Sequence, residues 1–245
     1  MTSALRRGLL VPTVFAVIGF VVLTGLGVWQ LERKVWKEDL LATLAARLAA
    51  PPSPLPPSSA WASLDRKDDE FRRVTFHAEF RPEQAALVYA TPSALRPDVR
   101  GTGFWVFAPA RLADRSVVVN RGFVPESRKN AGSDPAPSGV VEITGILRWP
   151  ESPSLFAPAG DLRQNVWFIR DHAAIAATKK WGAVAPFYID MEAPQPPGAL
   201  PRVAPIGAVK LPNNHLQYAL TWFGLAGCLA GVYLVWLLGR RRRAA

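Results

Sequence analysis

Cysteine is almost absent: the 245-residue chain has one, Cys228, and it lies inside an apolar run. A lone thiol closes no disulfide within the chain and leaves no Cys-x-x-Cys pair for redox work or copper. Methionine is as scarce, with two residues, so the soft ligand set of a copper carrier is missing. The three histidines, His77, His172 and His215, fall in no His-Glu-x-x-His zinc pattern. His77 in a strand pattern and His172 beside a helix start read as ordinary surface or half-buried residues. A Gly-rich phosphate loop and a Gly-x-Ser-x-Gly elbow are both lacking. Carboxylates are scattered, and Asp68, Asp69 and Glu70 beside Arg66 and Lys67 read as a solvated turn. With no nucleophile–base set, the chain is expected not to be an enzyme.

Acidic residues are missing from both ends. All 19 lie between Glu32 and Lys210, where 23 basic residues leave a net charge of only +4. The other basic residues are Arg6, Arg7 and Arg240 to Arg243, each group beside an apolar run. The formal charge of +10 thus reports tails that orient membrane helices, not a groove that follows a phosphate backbone. Nucleic acid is set aside as a partner on this ground.

Long apolar runs are what the chain does have. Residues 8–31 carry no charge, and at about 1.5 Å per residue they can cross a hydrocarbon core of about 30 Å. Pro12 sits near the start, where a first helical turn tolerates it. A cleaved signal peptide is the rival reading, with Gly25 and Gly27 imitating a small-x-small site. The run is long for a signal core, and an amphipathic stretch continues past Leu31, so an uncleaved anchor is expected. The second span covers residues 215–238, with Trp222, Tyr233 and Trp236 available as interface aromatics. Arg240 to Arg243 follow it, whereas Lys210 is the only nearby charge on its other flank, so its C-terminal end is expected in the cytoplasm. The first span alone is ambiguous, because Arg33, Lys34 and Lys37 follow it and only Arg6 and Arg7 precede it. Two crossings put both termini on one side. The middle then faces the periplasm, or the intermembrane space of an organelle.

Between the spans the periodicity changes twice. Residues 32–50 continue the first helix, with Leu31, Val35, Leu41, Leu44 and Leu48 near helical spacing. Prolines 51, 52, 54, 56 and 57 end it and make a stiff connector over residues 51–60. Short β-rich runs follow at 71–80, 86–90, 104–109, 116–120, 140–147 and 166–169. Alternation is clear in Val74, Phe76, Ala78, Phe80 and in Val140, Glu142, Thr144, Ile146. One helix is expected over 171–180, capped by Asp171, and a closing strand over 187–191. Residues 61–193 therefore read as a mostly β extracytoplasmic domain, an antiparallel sheet or small barrel with one short helix. A linker over 194–214 returns to the membrane. The expected order is completed by a cytoplasmic N-terminus, residues 1–7, and a cytoplasmic basic tail, residues 239–245.

His215 stands at the mouth of the second span. An ionisable side chain at a membrane boundary is a functional candidate. On a helix, His215, Tyr218, Trp222, Leu225 and Leu229 share one face, and Gln217, Thr221, Gly224, Cys228 and Gly231 share the other. The second stripe is small and weakly polar, as helix contact in lipid prefers, and Gly227 to Gly231 is a Gly-x-x-x-Gly. The first stripe places an imidazole above an aromatic bed, which suits an axial ligand for a lipophilic porphyrin. A histidine that caps interfacial hydrogen bonds is the other reading.

Five stretches in order resemble one family. They are Gly27-Val28-Trp29-Gln30-Leu31-Glu32-Arg33-Lys34-Val35-Trp36-Lys37, Val119-Asn120-Arg121-Gly122-Phe123-Val124-Pro125, Gly145-Ile146-Leu147-Arg148 with Glu151, Asn165-Val166-Trp167-Phe168-Ile169-Arg170-Asp171, and residues 213–226. With the two-span layout, they make the chain similar to bacterial members of the surfeit locus protein family, which helps assemble haem–copper cytochrome c oxidase. The resemblance implies binding of haem a and its insertion into the large oxidase subunit, with haem a synthase as a further partner beside membrane lipid. It implies a bacterial inner-membrane location. The family's membrane histidine, the proposed axial ligand of the haem iron, matches His215. Tyr218, Trp222, Trp29 and Arg33 would complete the binding site, and Arg33, Arg121 or Arg170 could meet the propionates; strand-end salt bridges are the alternative for the domain arginines. Two departures stand out: Ile206-Gly207-Ala208-Val209 keeps one Gly of a usual pair, and His77-Ala78-Glu79 lacks a Gly. A structural chaperone that holds an oxidase subunit without cofactor stays open. An enzyme acting on haem or lipid is disfavoured by the missing catalytic set.

Overall fold

The computed structural model describes residues 3–81, 85–92, 99–131, 136–152, 158, 160–161, 163–194, 198–203, 206 and 213–244. These form two compact units, Met1–Thr43 with Leu211–Ala245, and Leu44–Lys210. Lys210, Pro212 and the Gly207 departure lie outside the described residues.

The first unit is a pair of apolar helices, α1 (Ser3–Ala49) and the chain's last helix, α4 (His215–Ala244). Both are long and apolar enough to cross a membrane, within Leu9–Ala49 and His215–Arg242, where 18-residue stretches reach mean hydropathies of 2.5 and 1.8. α1 begins at Ser3, so Pro12 lies inside it and not in its first turn; membrane helices tolerate this. The helices touch through small residues. Gly27 is buried against Phe223, and a Cβ at position 27 would stand 2.5 Å from the Phe223 ring. Ala219 and Ala226 are buried on α4. Thr13 donates to the Leu9 carbonyl at 2.6 Å, so the Tyr233 hydroxyl donates to Thr13 Oγ1, also at 2.6 Å. The contact stripe expected from sequence is not the one used: Gln217, Thr221, Gly224, Cys228 and Gly231 are exposed. Side chains at Gly224, Gly227 and Gly231 would meet nothing within 4 Å. Alanines on α4 and Gly19 and Gly27 on α1, packed against Leu229 and Phe223, allow the same close approach on a different face.

The second unit is built on β1 (Ser53–Pro54), β2 (Arg73–Phe80), β3 (Ala86–Ala90), β4 (Gly103–Arg111), β5 (Ser116–Pro125), β6 (Val140–Arg148), β7 (Val166–Trp167) and β8 (Val184–Ala193). Two helices interrupt the strands, a single turn α2 (Arg66–Asp69) and α3 (His172–Lys179), with 3-10 turns at Ser58–Ser63 and Glu126–Ala131. Strand order is β1-β2-β6-β8-β5-β4-β3-β7, and a further β2–β4 pairing closes β2, β6, β8, β5 and β4 into a five-stranded barrel. The sheet is not wholly antiparallel. β5 runs parallel to β8, β3 to β7 and β1 to β2, and in each pair other elements lie between the two strands in sequence, as a parallel pairing requires. Proline-rich Ser53–Pro54 is not a bare connector but an edge pairing on β2.

Alternation sets the inner layer. Val74, Phe76, Ala78 and Phe80 of β2 meet Ala108, Val119, Ile143 and Phe187 in one core. On β6 the residues facing that core are Val141, Ile143 and Leu147, while Val140 and Glu142 are exposed. A second core lies outside the barrel, where Ile175 and Ala176 of α3 cover Val88, Phe107, Val118 and Tyr188. α3 begins as expected, with Asp171 accepting from Ala174 N at 3.0 Å, and ends at Lys180 in the left-handed conformation. Part of the expected linker belongs to the barrel, since Phe123 and Arg202 exchange backbone hydrogen bonds of 2.8 Å. Gly122 makes this possible: its φ is +131°, and a Cβ would lie 2.3 Å from the Arg202 carbonyl oxygen.

Candidate functional site

His215 is the first residue of α4 and is half-buried. Its Nδ1 lies 2.7 Å from Oε1 of Gln30 on α1. One turn further along α1, Lys34 pairs with Glu38 at 2.9 Å, and Asn213 Nδ2 reaches Glu38 Oε1 at 3.5 Å. A short polar ladder therefore ties the start of α4 to residues 30–38 of α1.

The other expected site residues divide between faces. Trp222 is half-buried on the side of α4 that meets α1, whereas Tyr218 is 55% exposed. Trp29 and Trp36 are both about half exposed, and Arg33 lies with its guanidinium carbon 4.1 Å above the Trp36 ring. Trp29, Arg33 and Trp36 follow one face of α1, and Gln30 and Lys34 follow another, because a helix turns by about 100° per residue. An exposed cation–aromatic stack of this kind suits a bilayer interface. Apolar grooves of about 270 and 450 Å³ run beside Ala16, Leu229 and Tyr233. They begin roughly 20 Å along α4 from His215 at about 1.5 Å per residue and include none of the expected site residues.

In the second unit the motif residues build a buried polar chain. Asn120 Nδ2 donates to Asp190 Oδ1 at 2.7 Å, and Asn120 Oδ1 accepts from Gly122 N at 3.1 Å. Arg148 reaches Asp190 Oδ2 at 3.4 Å and Glu70 Oε1 at 3.3 Å, with its guanidinium 4.6 Å over the Phe71 ring. Burial opposes the charge on Arg148, but Tyr188, Asp190 and Glu70 outweigh it and raise its pKa. Tyr188 is pushed up to about 12, first by burial and then by Asp190, so its hydroxyl stays protonated. The domain arginines are engaged at home: Arg121 is 4% exposed, and Arg170 pairs with Glu151 at 3.5 Å. Arg170 thus has the salt bridge of the alternative reading, and Arg121 is buried within the barrel unit.

His77 is exposed, but His172 is fully buried, against the expectation of a surface or half-buried ring. Its Nε2–H donates to the Ala185 carbonyl at 2.9 Å, and its ring meets Tyr188 at a tilt of 51°, centroids 5.7 Å apart. Burial lowers its pKa below the ordinary imidazole value, against smaller raising effects of Ala185 and Asp171. Among the described residues, no three His, Cys, Asp or Glu side chains gather as a metal site. Gln30 is the residue that sequence reasoning passed over, although it stands inside the first motif.

The chain was compared with known proteins. The family model described as the SURF1 family matches residues 17–227. A SURF1-like protein of Monosiga brevicollis is 34% identical over 91% of this chain and 85% of its own length. Surfeit locus protein 1 of Rattus norvegicus is 33% identical over 86% of this chain and 70% of its own length. The Homo sapiens protein of that name is 32% identical over 82% and 69%. The match runs from the first apolar helix through the motif-built barrel and into the helix that His215 opens, so the chain belongs to the SURF1 family.

Proposed function

We propose that this chain is an assembly factor for a haem–copper cytochrome c oxidase, binding haem a at the membrane through His215 and aiding its insertion into the large catalytic subunit. Family membership supports the oxidase role. The observation that carries the haem reading is the half-buried His215 imidazole at the start of an apolar helix, with one nitrogen engaged by Gln30. Its other nitrogen has no hydrogen bond among the described residues, and a neutral imidazole held in this way is a fitting axial iron ligand. The haem would supply the iron and a lipophilic macrocycle. Trp222 and Tyr218 on α4, and Trp29 and Arg33 on α1, offer aromatic surface and positive charge around the same turns. In this reading the chain carries and hands over its group without catalysing a reaction. Haem a synthase is the donor, and membrane lipid surrounds both helices.

The four arginines at 240–243 support a bacterial inner-membrane protein with both termini cytoplasmic and the barrel periplasmic. A structural chaperone without cofactor is the second reading, favoured by Arg121 and Arg170 being engaged within the barrel unit. Haem absorbance per mole of purified protein separates the two. His215→Ala is expected to lose most of it, and His77→Ala, at an exposed strand position, none. Unchanged absorbance in His215→Ala would favour the chaperone. In a deletion strain, oxidase haem content is expected to fall while its subunits are still transcribed and translated; normal oxidase would count against the assembly role.

A further inference from the structure

Building on the reading of His215 as an iron ligand, we propose that Gln30 is its positioning residue, holding the ring in the Nδ1–H tautomer so that Nε2 is the nitrogen presented to the metal. The partners are Nδ1 of His215 and Oε1 of Gln30, 2.7 Å apart. An amide oxygen has no proton to give, so this bond forms only when Nδ1 carries the hydrogen. A neutral imidazole has one N–H, which leaves the Nε2 lone pair open. The alternative tautomer would set a lone pair against the amide oxygen and place the hydrogen where the metal should be.

The geometry around Gln30 is that of a fixed support. Gln30 lies one helical turn from Gly27, whose bare Cα is packed by the Phe223 ring. On its other side, two turns on, Glu38 receives Asn213, two residues before His215, at 3.5 Å. Helix α1 thus cannot rotate its amide away from α4 without giving up both contacts. His215, by contrast, is a terminal helical residue, where chains fray. A ligand at a fraying end gains more from an outside anchor than one in the middle of a helix. Iron-bound histidines gain basicity and a fixed ring plane from such a partner, and its loss typically lowers metal affinity about 10–100-fold.

The test needs no haem for its first part. ¹⁵N NMR of the ligand-free protein labelled at histidine reads the tautomer of His215 directly. His215→Ala identifies the signal. Wild type is expected in the Nδ1–H form, Gln30→Leu as a mixture, and Gln30→Glu restored to Nδ1–H because a carboxylate also accepts. A wild-type Nε2–H form, or a tautomer unmoved in Gln30→Leu, overturns the proposal. The second part titrates each protein with haem a. Gln30→Leu is expected to bind about 10–100-fold more weakly, and Gln30→Glu to recover affinity with a raised iron–imidazole stretching frequency. Full affinity in Gln30→Leu, where His215→Ala has lost it, overturns the role of Gln30 and leaves the ligand standing. Full affinity in His215→Ala instead removes the ligand reading itself, whatever the tautomer.

Discussion

Two histidines of similar sequence context have opposite environments. His172 sits beside a helix start as His215 does, yet its ring is fully buried under α3, and burial lowers its pKa. The unfolded chain therefore binds a proton near pH 6.5 that the folded barrel refuses. The sign follows: His172 contributes stability that is fully present above about pH 6.5 and is lost as pH falls toward its lower folded pKa, by up to about 1.4 kcal/mol per pH unit. Denaturant unfolding of the detergent-solubilised chain, followed by tryptophan fluorescence, is expected to show this extra acid sensitivity in wild type. His172→Leu should flatten that part of the profile, at some cost from the Ala185 carbonyl it leaves unpaired. Equal acid slopes in both proteins would refute the assignment. His172 is consequently a poor control for haem experiments, and exposed His77 a good one.

At the scale of strands, the motif residues of β5, β6 and β8 act as one joint. Asp190 holds both Asn120 and Arg148, and Arg148 reaches on to Glu70 beyond α2. None of these ties joins sequence neighbours, so the joint forms only when three strands have found their register. Asp190→Ala would remove the acceptor of Asn120 and leave the buried Arg148 guanidinium with Glu70 as its one carboxylate partner of the two. It is expected to cost about 3–5 kcal/mol in unfolding free energy, as breaking a buried ion pair does. Glu192→Ala removes the partner of half-buried Arg73 two residues along the same strand, and about 0–1 kcal/mol is expected there. Similar losses in the two variants would show that the Asp190 cluster carries no special weight. Helix pairing follows the same logic with different chemistry: Gly27 against Phe223 and alanines on α4 bring the backbones close.

For the whole molecule, charge asymmetry is the guide to orientation. Four arginines end α4, and the acidic residues are confined to the interior of the chain. Reporter fusions after Ala50 and after Arg243 are expected on opposite sides of the membrane, with the fusion after Arg243 cytoplasmic. The same sidedness for both would show that the second apolar helix does not cross and would end the two-crossing topology.

The sequence by itself determined the elements and their order. Uncharged runs long enough for a bilayer and two-residue alternation in Arg73–Phe80 are local signals, and the helices and β2 formed where they lay, whereas the proline cluster after Ala50 ended α1 but also supplied the β1 edge pairing. The family was legible too, because short motifs such as Asn120-Arg121-Gly122 and Gly145-Ile146-Leu147-Arg148 keep their spacing in one dimension. Tertiary structure alone decided which strands run parallel, which face of α4 meets α1, and that Arg121 and His172 are buried. It alone brought Gln30 to His215, 185 residues away. Side-chain periodicity states which residues share a face but not what that face meets; the partner is set by packing among segments remote in the chain, where volume and hydrogen-bond satisfaction choose between faces of similar polarity.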